Sequence, residues 1–365
     1  MKKVTIVTSM HFWRLGAGHR ERIFALVRFL SRHTELTVVM LGIGTERDLE
    51  HLKTLGLKCR VVFLDKERVL PPPEYVRRLK SFLAKNPADV CIIEFIQFSF
   101  LLDSIPAGVK VMLDTHDIMS ELAERAHAYG AAPNRDLSEE REFELFRRYD
   151  AVILIQDSDY EKVRDALGGE KALLAPHPAI LARRGIRKTA ATIGYVASGV
   201  APNVDAISWF IAEVWPAVPR DGVTLNVYGY ICEALDLQVP DGVRLRGFVP
   251  SLDAIYGEAD IVINPVRFGG GLKIKNVEAL ANGLPLVTTP HGATGLEEGA
   301  GSAFLVGDGA EEFRGRLAEV LDSYERRRAL GEAAYRFAEA RFSPEACFGS
   351  LLAEIDRPAP RAGSP

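Results

Sequence analysis

Cysteine is scarce in this chain: four in 365 residues, Cys59, Cys91, Cys232 and Cys347. No two stand in a Cys-x-x-Cys spacing, and the histidines form no pair at a metal-ligand interval, so a zinc module and a dithiol redox centre are both excluded and reduced thiols are expected. An excess of one charge is missing too. The formal net charge of -4 supplies no field to hold a polyanion, and no local basic patch is dense enough to bind nucleic acid. Long apolar runs are absent. The longest, DVCIIEFIQFSFLL, is broken by Glu94 and Gln97 and falls short of a bilayer span. The opening MKKVTIVTSMHFW has too few apolar residues after its basic start for a signal peptide and reads as a first strand. A cytoplasmic protein is expected, with peripheral contact at the inner membrane face left open, since that needs only a modest basic or apolar patch.

What is present is the balance of a soluble globular protein, 47% hydrophobic and 26% charged, in a chain long enough for two domains with a core each. Short β-branched runs, KVTIVTS, ELTVVML, CRVVFL, DVCIIEF, KVMLDT and DAVILIQ, alternate with helical spacing such as Ile23, Leu26, Val27 and Leu30 on one face of HRERIFALVRFLSRH. Strand and helix in alternation predict a parallel sheet covered on both sides. The proline-bearing LLAPHPAILARRGIRK reads as a linker. A second series follows it: TIGYVAS, TLNVYGY, VRLRGFV, DIVINPV, LPLVTT and AFLVG. The expected fold is α/β with two Rossmann-like, doubly wound domains: residues 1–182 and 183–342, then a helix over 343–358 crossing back to the first domain and a disordered tail over 359–365. Pro344 predicts a break in the C-terminal helical stretch. The stripe Ile207, Phe210, Ile211 and Val214, with the tryptophans, is expected in the core.

The stretch NPVRFGGGLKIKNVEALANGLPLVTT, residues 264–289, carries the most chemistry. Glycines between a strand and a helix let backbone amides approach a ligand, which suits a phosphate. Lys273 and Lys275 fall in the first helical turn, where the helix dipole is already positive, so an anion is needed to offset them; each charge-assisted contact contributes roughly 1.5–3 kcal/mol. Solvated lysines, with Lys275 paired to Glu278 one turn later, are the plainer alternative. Ile274, Val277 and Ala281 are expected to form the buried stripe of this helix. Glu278, beyond the phosphate loop, is placed to accept hydrogen bonds from a ribose diol.

These residues, with IGYVASGVAPNVDAISWFIAEVWPAV, LNVYGY, VRLRGFVPSLDAIYGEADIVINP, LDTHDIMS and RYDAVILIQDSDYEKVRDAL, resemble glycosyltransferase family 4, retaining enzymes of the GT-B fold, in the subgroup with a Gly-x-Gly-x-Lys-x-Lys donor loop. The resemblance covers nearly the whole chain, most closely its second half. It implies two Rossmann-like domains facing a central cleft, a nucleotide-diphosphate sugar donor held mainly by the second domain, and a carbohydrate, lipid-linked or small-molecule acceptor. It implies no metal and no cofactor. Carried over by residue, Glu278 would hold the ribose, Lys273 and Lys275 the diphosphate, and Gly270, Gly271 and Leu272 the phosphate and sugar, while the main chain around Phe248 would line the base pocket. In the first domain Gly16 and Gly18 would bring amides to the sugar, Arg20 would meet phosphate, and His116 would contact the sugar or the leaving phosphate. Asp114 and Asp117 flank His116 and would orient it or accept a proton. Two positions depart from the pattern. Gly270 stands where many members carry a glutamate, and ASGVAPNVDA lacks the usual Arg and Lys, with Asn203 as a polar substitute. The Asp157–Ser158–Asp159 triplet reads as a helix cap by Ser158 or Asp157. A nucleotide-sugar epimerase and a non-catalytic binding module are the alternatives; the absence of a complete GxGxxG fingerprint argues against a dinucleotide oxidoreductase.

Overall fold

The two series of strands build two separate sheets, each parallel throughout. The computed structural model describes residues 1–14, 18–65, 69–121, 137–218, 222–236, 238–269 and 272–358. The first series is β1 (Lys3–Thr8), β2 (Glu35–Ile43), β3 (Cys59–Asp65), β4 (Val90–Glu94), β5 (Lys110–Asp114), β6 (Ala151–Leu154) and β7 (Ala172–Leu174), in the order β3-β2-β1-β4-β5-β6-β7. The second is β8 (Thr192–Val196), β9 (Thr224–Tyr228), β10 (Val243–Gly247), β11 (Ile261–Asn264), β12 (Leu286–Thr288) and β13 (Leu305–Val306), in the order β10-β9-β8-β11-β12-β13. Both are doubly wound. In the first, β1 pairs on one side with β2 (Val4 opposite Leu36) and on the other with β4 (Val4 opposite Val90), so the strand order reverses between β1 and β4. The equivalent reversal in the second lies between β8 and β11 (Ile193 opposite Ile261). Such reversals leave a crevice at the carboxyl ends of the strands, where sheets of this kind bind ligands.

The chain divides into two compact units, Met1–Pro178 joined by the chain from Cys347 onward, and Ala179–Ala346. Central strands buried on both faces explain their unbroken apolar runs: Val4, Ile6 and Val7 of β1 and all of β4 are buried. Part of the expected linker is strand, because Leu173 and Leu174 pair with Ile153 and Leu154. The helix after β8 is regular only over Ala201–Trp209. A π-turn, Phe210–Val214, and a 3-10 turn, Trp215–Ala217, follow, since Pro216 has no N–H to give and crowds the preceding turn. Ile207, Phe210, Ile211 and Val214 are buried as expected, and so are Trp13 and Trp215; Trp209 is half-buried, with the Arg267 guanidinium 5.4 Å from its ring centroid.

Pro344 ends one helix and opens the next: Tyr324–Phe342 stops and Pro344–Asp356 begins. That last helix buries Cys347, Phe348, Leu351 and Ile355 in the core built on β1 and β2. Lys110, 3% exposed, secures it by donating from Nζ to the Glu354 carboxylate and main-chain oxygen, each at 2.7 Å. The tail over 359–365 lies outside the described residues.

Candidate functional site

In the second unit, the loop leaving β11 and the helix Ile274–Ala281 stand at the carboxyl end of the strand beside the reversal. Gly270 and Gly271 lie outside the described residues, and Leu272 is half-buried against the core. Lys273 is the N-cap of the helix, with φ -83° and ψ 92°, rather than a first-turn residue; Lys275 is in the first turn. Both are half-buried, and burial lowers the pKa of each. For Lys275 the fall is to about 8, partly offset by Glu278 and deepened by Lys273.

The plainer alternative, an ion pair of Lys275 with Glu278, does not form, although Glu278 still raises the lysine's pKa. Lys275 Nζ donates to Asn203 Oδ1 at 2.7 Å and sits 4.9 Å from the Tyr195 ring centroid. Among the described residues it makes no ion pair. Asn203, on the helix that follows β8, is fixed in turn by its Nδ2 donating to Ser198 O at 3.0 Å. Asn203 therefore holds the lysine through a neutral oxygen, which adds no negative charge beside the ammonium. Glu278 is occupied elsewhere: its Oε2 accepts from Tyr256 Oη at 2.8 Å, and burial, then Glu278 itself, raises the Tyr256 phenol well above its ordinary pKa. A phenol kept protonated in this way remains a donor and orients the carboxylate.

Ile274 corrects the expected stripe. It is 39% exposed, while Val277 and Ala281 are buried; helical side chains lean toward the amino end, so Ile274 projects beyond the first turn instead of onto the sheet. Beneath this helix runs an amide network. Asn264, the last residue of β11, donates from Nδ2 to Asn276 Oδ1 at 2.8 Å, and Asn276 donates from Nδ2 to Gly292 O at 2.8 Å. Thr288 Oγ1 donates to Asn264 O at 2.8 Å, and Gly292 N donates to Thr289 Oγ1 at 3.0 Å. A Cβ on Gly292 would lie 2.0 Å from Thr288 Oγ1. Gly292→Ala is therefore expected to destabilise the second unit by about 1–3 kcal/mol, read as a lower midpoint of chemical denaturation, while Gly301→Ala, with open space around it, is expected to lose about 1–2 kcal/mol from its φ of 78° alone. At the ends of β9 and β10, Tyr230 and Phe248 are 56% and 58% exposed and stack on each other, centroids 5.0 Å apart and planes 24° from parallel. Two large rings facing solvent together form a platform on which a planar base can stack.

In the first unit, Gly16 lies outside the described residues and Gly18 opens the helix Gly18–His33 that follows β1. Arg20 donates from Nη1 to Arg14 O at 3.1 Å, and its buried Nε has no hydrogen-bond partner among the described residues. Asp114 does not orient His116. It is fully buried and accepts from Arg22 Nε at 3.1 Å and Nη2 at 3.1 Å; Arg22, 1% exposed, completes its set by donating from Nη1 to Ala175 O at 2.8 Å. A guanidinium fork matches a carboxylate edge to edge, so both charges are satisfied without water. Asp117 is exposed.

The partner of His116 is Glu94, at the end of β4, with Nε2 and Oε2 2.7 Å apart. Phe95 stacks on the imidazole, centroids 4.2 Å apart and planes 19° from parallel. Phe95 (φ 70°) and His116 (φ 66°) are the two non-glycine residues with positive φ among those described. Each such conformation costs of order 1–3 kcal/mol and persists where surrounding structure enforces it, often at functional sites. Glu94, Asp114 and His116 bring potential metal-ligand atoms within 4.8 Å of one another, but the Arg22 charge already sits on Asp114 and Glu94 Oε2 already holds the imidazole, so the donor set fits an internally hydrogen-bonded polar cluster better than a cation site. The sequence marked Glu94 only as an interruption of an apolar run. A carboxylate closing an otherwise apolar strand, VCIIE, was the available signal for it. Arg22 had none, being one of several arginines on its helix. At residues 157–159, the N-cap is Gln156 and Asp157 opens the helix Asp157–Leu167, which moves the cap one residue earlier than expected.

Solved structures share this fold along almost the whole chain. Sucrose-phosphate synthase from Thermosynechococcus elongatus aligns at TM-score 0.64 and 14% identity, over 97% of this chain and 99% of its own. HepE from Anabaena, in complex with UDP-glucose, aligns at TM-score 0.64 and 15% identity over the same shares. A variant of S. aureus TarM, in complex with fondaparinux, α-GlcNAc-glycerol and UDP, aligns at TM-score 0.68 and 10% identity, over 98% of this chain and 100% of its own. The fold is GT-B. Residues 190–323, a span of the second GT-B domain containing Lys273, Lys275 and Glu278, match the family model of glycosyl transferases group 1. An uncharacterized 44.6 kDa protein in the cps region of Klebsiella pneumoniae is 24% identical over 164 residues, 42% of this chain; the match spans 42% of the Klebsiella protein. No helix among the described residues is long and apolar enough to cross a membrane.

Proposed function

We propose that this GT-B protein is a retaining, metal-independent glycosyltransferase of family 4 that moves a sugar from a nucleotide-diphosphate donor to an acceptor hydroxyl. One observation carries the reading. Lys275 lies in the first turn of a helix, against the dipole, half-buried, with a neutral amide oxygen and an aromatic face as its direct contacts and Glu278 only partly offsetting its charge; an ammonium in that place is stabilised when a polyanion binds. Lys273 at the N-cap adds a second charge. The exposed Tyr230–Phe248 stack suits a nucleobase, and Glu278, oriented by Tyr256, suits a ribose diol.

The same groups supply the chemistry. As the bond from the sugar to the diphosphate breaks, negative charge gathers on the leaving phosphate, and preorganised cations at that point lower the barrier. The acceptor hydroxyl attacks from the face the leaving group vacates, and its proton passes to a phosphate oxygen, so retention requires no covalent enzyme intermediate. Two lysines meet the phosphate charge without a metal. The bound UDP and UDP-glucose of the structural relatives favour a uridine donor, and α-GlcNAc-glycerol bound to TarM favours a polyol or carbohydrate acceptor, lipid-linked or free.

The test is a thermal-shift and calorimetric panel of UDP, GDP and ADP against the parent chain and Glu278→Ala. One nucleotide is expected to stabilise the parent and to bind Glu278→Ala about tenfold or more weakly, since a charged hydrogen-bond acceptor for the ribose contributes about 1.5–3 kcal/mol. If none of the three stabilises the parent at millimolar concentration, the reading is wrong.

A further inference from the structure

The cluster at the ends of β4 and β5 holds four charged or chargeable groups in a space almost closed to water: Arg22, Asp114, Glu94 and His116, none more than 7% exposed. Arg22 and Asp114 cancel each other. Glu94 is left with one oxygen on His116 and the other, Oε1, with no hydrogen-bond partner among the described residues. An ionised carboxylate in that position is unfavourable unless the group beside it brings a proton. Burial first, and the Asp114 charge second, push the Glu94 carboxyl toward its protonated form, while the hydrogen bond from His116 pulls the other way. The neighbouring imidazoles do not hold the extra proton: burial, then Arg22 and His116, lower His177 to about 4, and burial, then Arg20 and His116, lower His19. The cluster is electroneutral when the Glu94–His116 pair keeps one proton between Oε2 and Nε2 and a second on Nδ1, which makes no hydrogen bond among the described residues.

We propose that Glu94 is the positioning residue of His116: it fixes Nε2 so that Nδ1 carries a proton and presents it as the hydrogen-bond donor of the first unit. The Phe95 stack and the left-handed backbone at both residues hold the ring in that orientation. The donor acts by hydrogen bonding, with no proton leaving the pair. Its ligand is an oxygen acceptor, a sugar hydroxyl or a phosphate oxygen, and this assignment of the ligand rests on the transferase reading. The proton placement does not.

Long-range 15N–1H spectra of the full chain labelled with 15N-histidine test the placement directly, with His116 assigned from His116→Gln. At pH 7 the parent is expected to show Nδ1 protonated. Glu94→Gln keeps that pattern, because its amide can donate to Nε2 and leave the hydrogen on Nδ1; Glu94→Leu loses it and shows the Nε2–H tautomer usual in water. An unprotonated Nδ1 in the parent overturns the proposal, and that result needs no variant to fold. The kinetic arm measures nucleoside diphosphate released from UDP-glucose, GDP-mannose and ADP-glucose in the presence of a panel of polyol, sugar and lipid-linked acceptor hydroxyls. Where turnover is found, Glu94→Leu is expected to lower kcat at least tenfold with the donor KM within about twofold, and Glu94→Gln to recover most of it; equal losses in both variants overturn the positioning role. If no donor turns over while Nδ1 is protonated in the parent, the transferase reading fails and the assignment of Glu94 stands.

Discussion

Replacing Arg22 by leucine is expected to cost the first unit about 3–5 kcal/mol, the usual penalty for removing one member of a buried ion pair. The guanidinium makes two close contacts with Asp114 and a third with Ala175 O. Its loss strands a carboxylate with no access to water, in contact with the Glu94–His116 pair, whose charge balance it disturbs. For a unit of roughly 150–250 residues each kcal/mol lowers the melting temperature by about 2–4 °C, so a fall of about 6–20 °C in the transition of that unit is the result to look for by calorimetry. The combined change Arg22→Leu with Asp114→Leu removes both charges. It is expected to be less destabilised than the single Arg22→Leu, since what is costly is the charge left alone rather than the absence of the pair. If the double variant is as unstable as the single one, packing of the arginine, including its guanidinium carbon 5.9 Å from the Phe348 ring centroid, is the larger contribution.

The second large effect is on nucleotide binding and its dependence on pH. Burial lowers the pKa of Lys275 to about 8 in the free protein, and a bound diphosphate, being an anion beside it, raises that pKa again. The complex then holds more protons than the free protein between about pH 8 and the usual lysine range near 10.4. Affinity is therefore full below pH 8 and falls as pH rises above it, by up to tenfold per pH unit, with as much as one proton taken up on binding at pH 9. Calorimetry in two buffers of different ionisation enthalpy measures that uptake. Lys275→Met is expected to abolish it and to weaken nucleotide binding about tenfold to a hundredfold, the worth of one charge-assisted contact of about 1.5–3 kcal/mol. Folding stability responds with the opposite sign. A lysine whose folded pKa is depressed leaves the native state with fewer protons than the unfolded chain, so this group's contribution rises with pH between 8 and the unfolded value. An affinity that stays flat between pH 7 and 9.5 would place the diphosphate away from Lys275.

The strands and the two-sheet plan were legible because buried parallel strands must be apolar throughout, and runs such as IVIN and VCIIE have no polar face to confuse the pattern. The lysine-bearing helix start was legible for an electrostatic reason that needs no tertiary knowledge: cations at a helix N-terminus are unfavourable alone. The break at Pro344 follows from a missing N–H. These are local rules, each depending on residues adjacent in the chain, and the strands and the break at Pro344 follow them. The exposed Ile274 shows where a local rule stops, since periodicity gives a residue's azimuth and not whether a sheet extends far enough to cover it.

Which residue touches which was decided only by the fold. Parallel pairing of β4 with β5 puts Glu94 opposite Asp114, residues 20 apart, and the helix after β1 brings Arg22 against a carboxylate 92 residues away. Once Arg22 takes Asp114, His116 is left to Glu94. In the second unit the sequence offered Glu278 as the partner of Lys275, three residues distant, yet the ammonium goes to Asn203, 72 residues away, and Glu278 to Tyr256. The sequence alone determined the elements, their parallel arrangement and the lysine-bearing start of a helix at a strand end; the tertiary structure decided the pairing of charges, because in a doubly wound sheet the groups that share a crevice come from strand ends that the chain visits far apart.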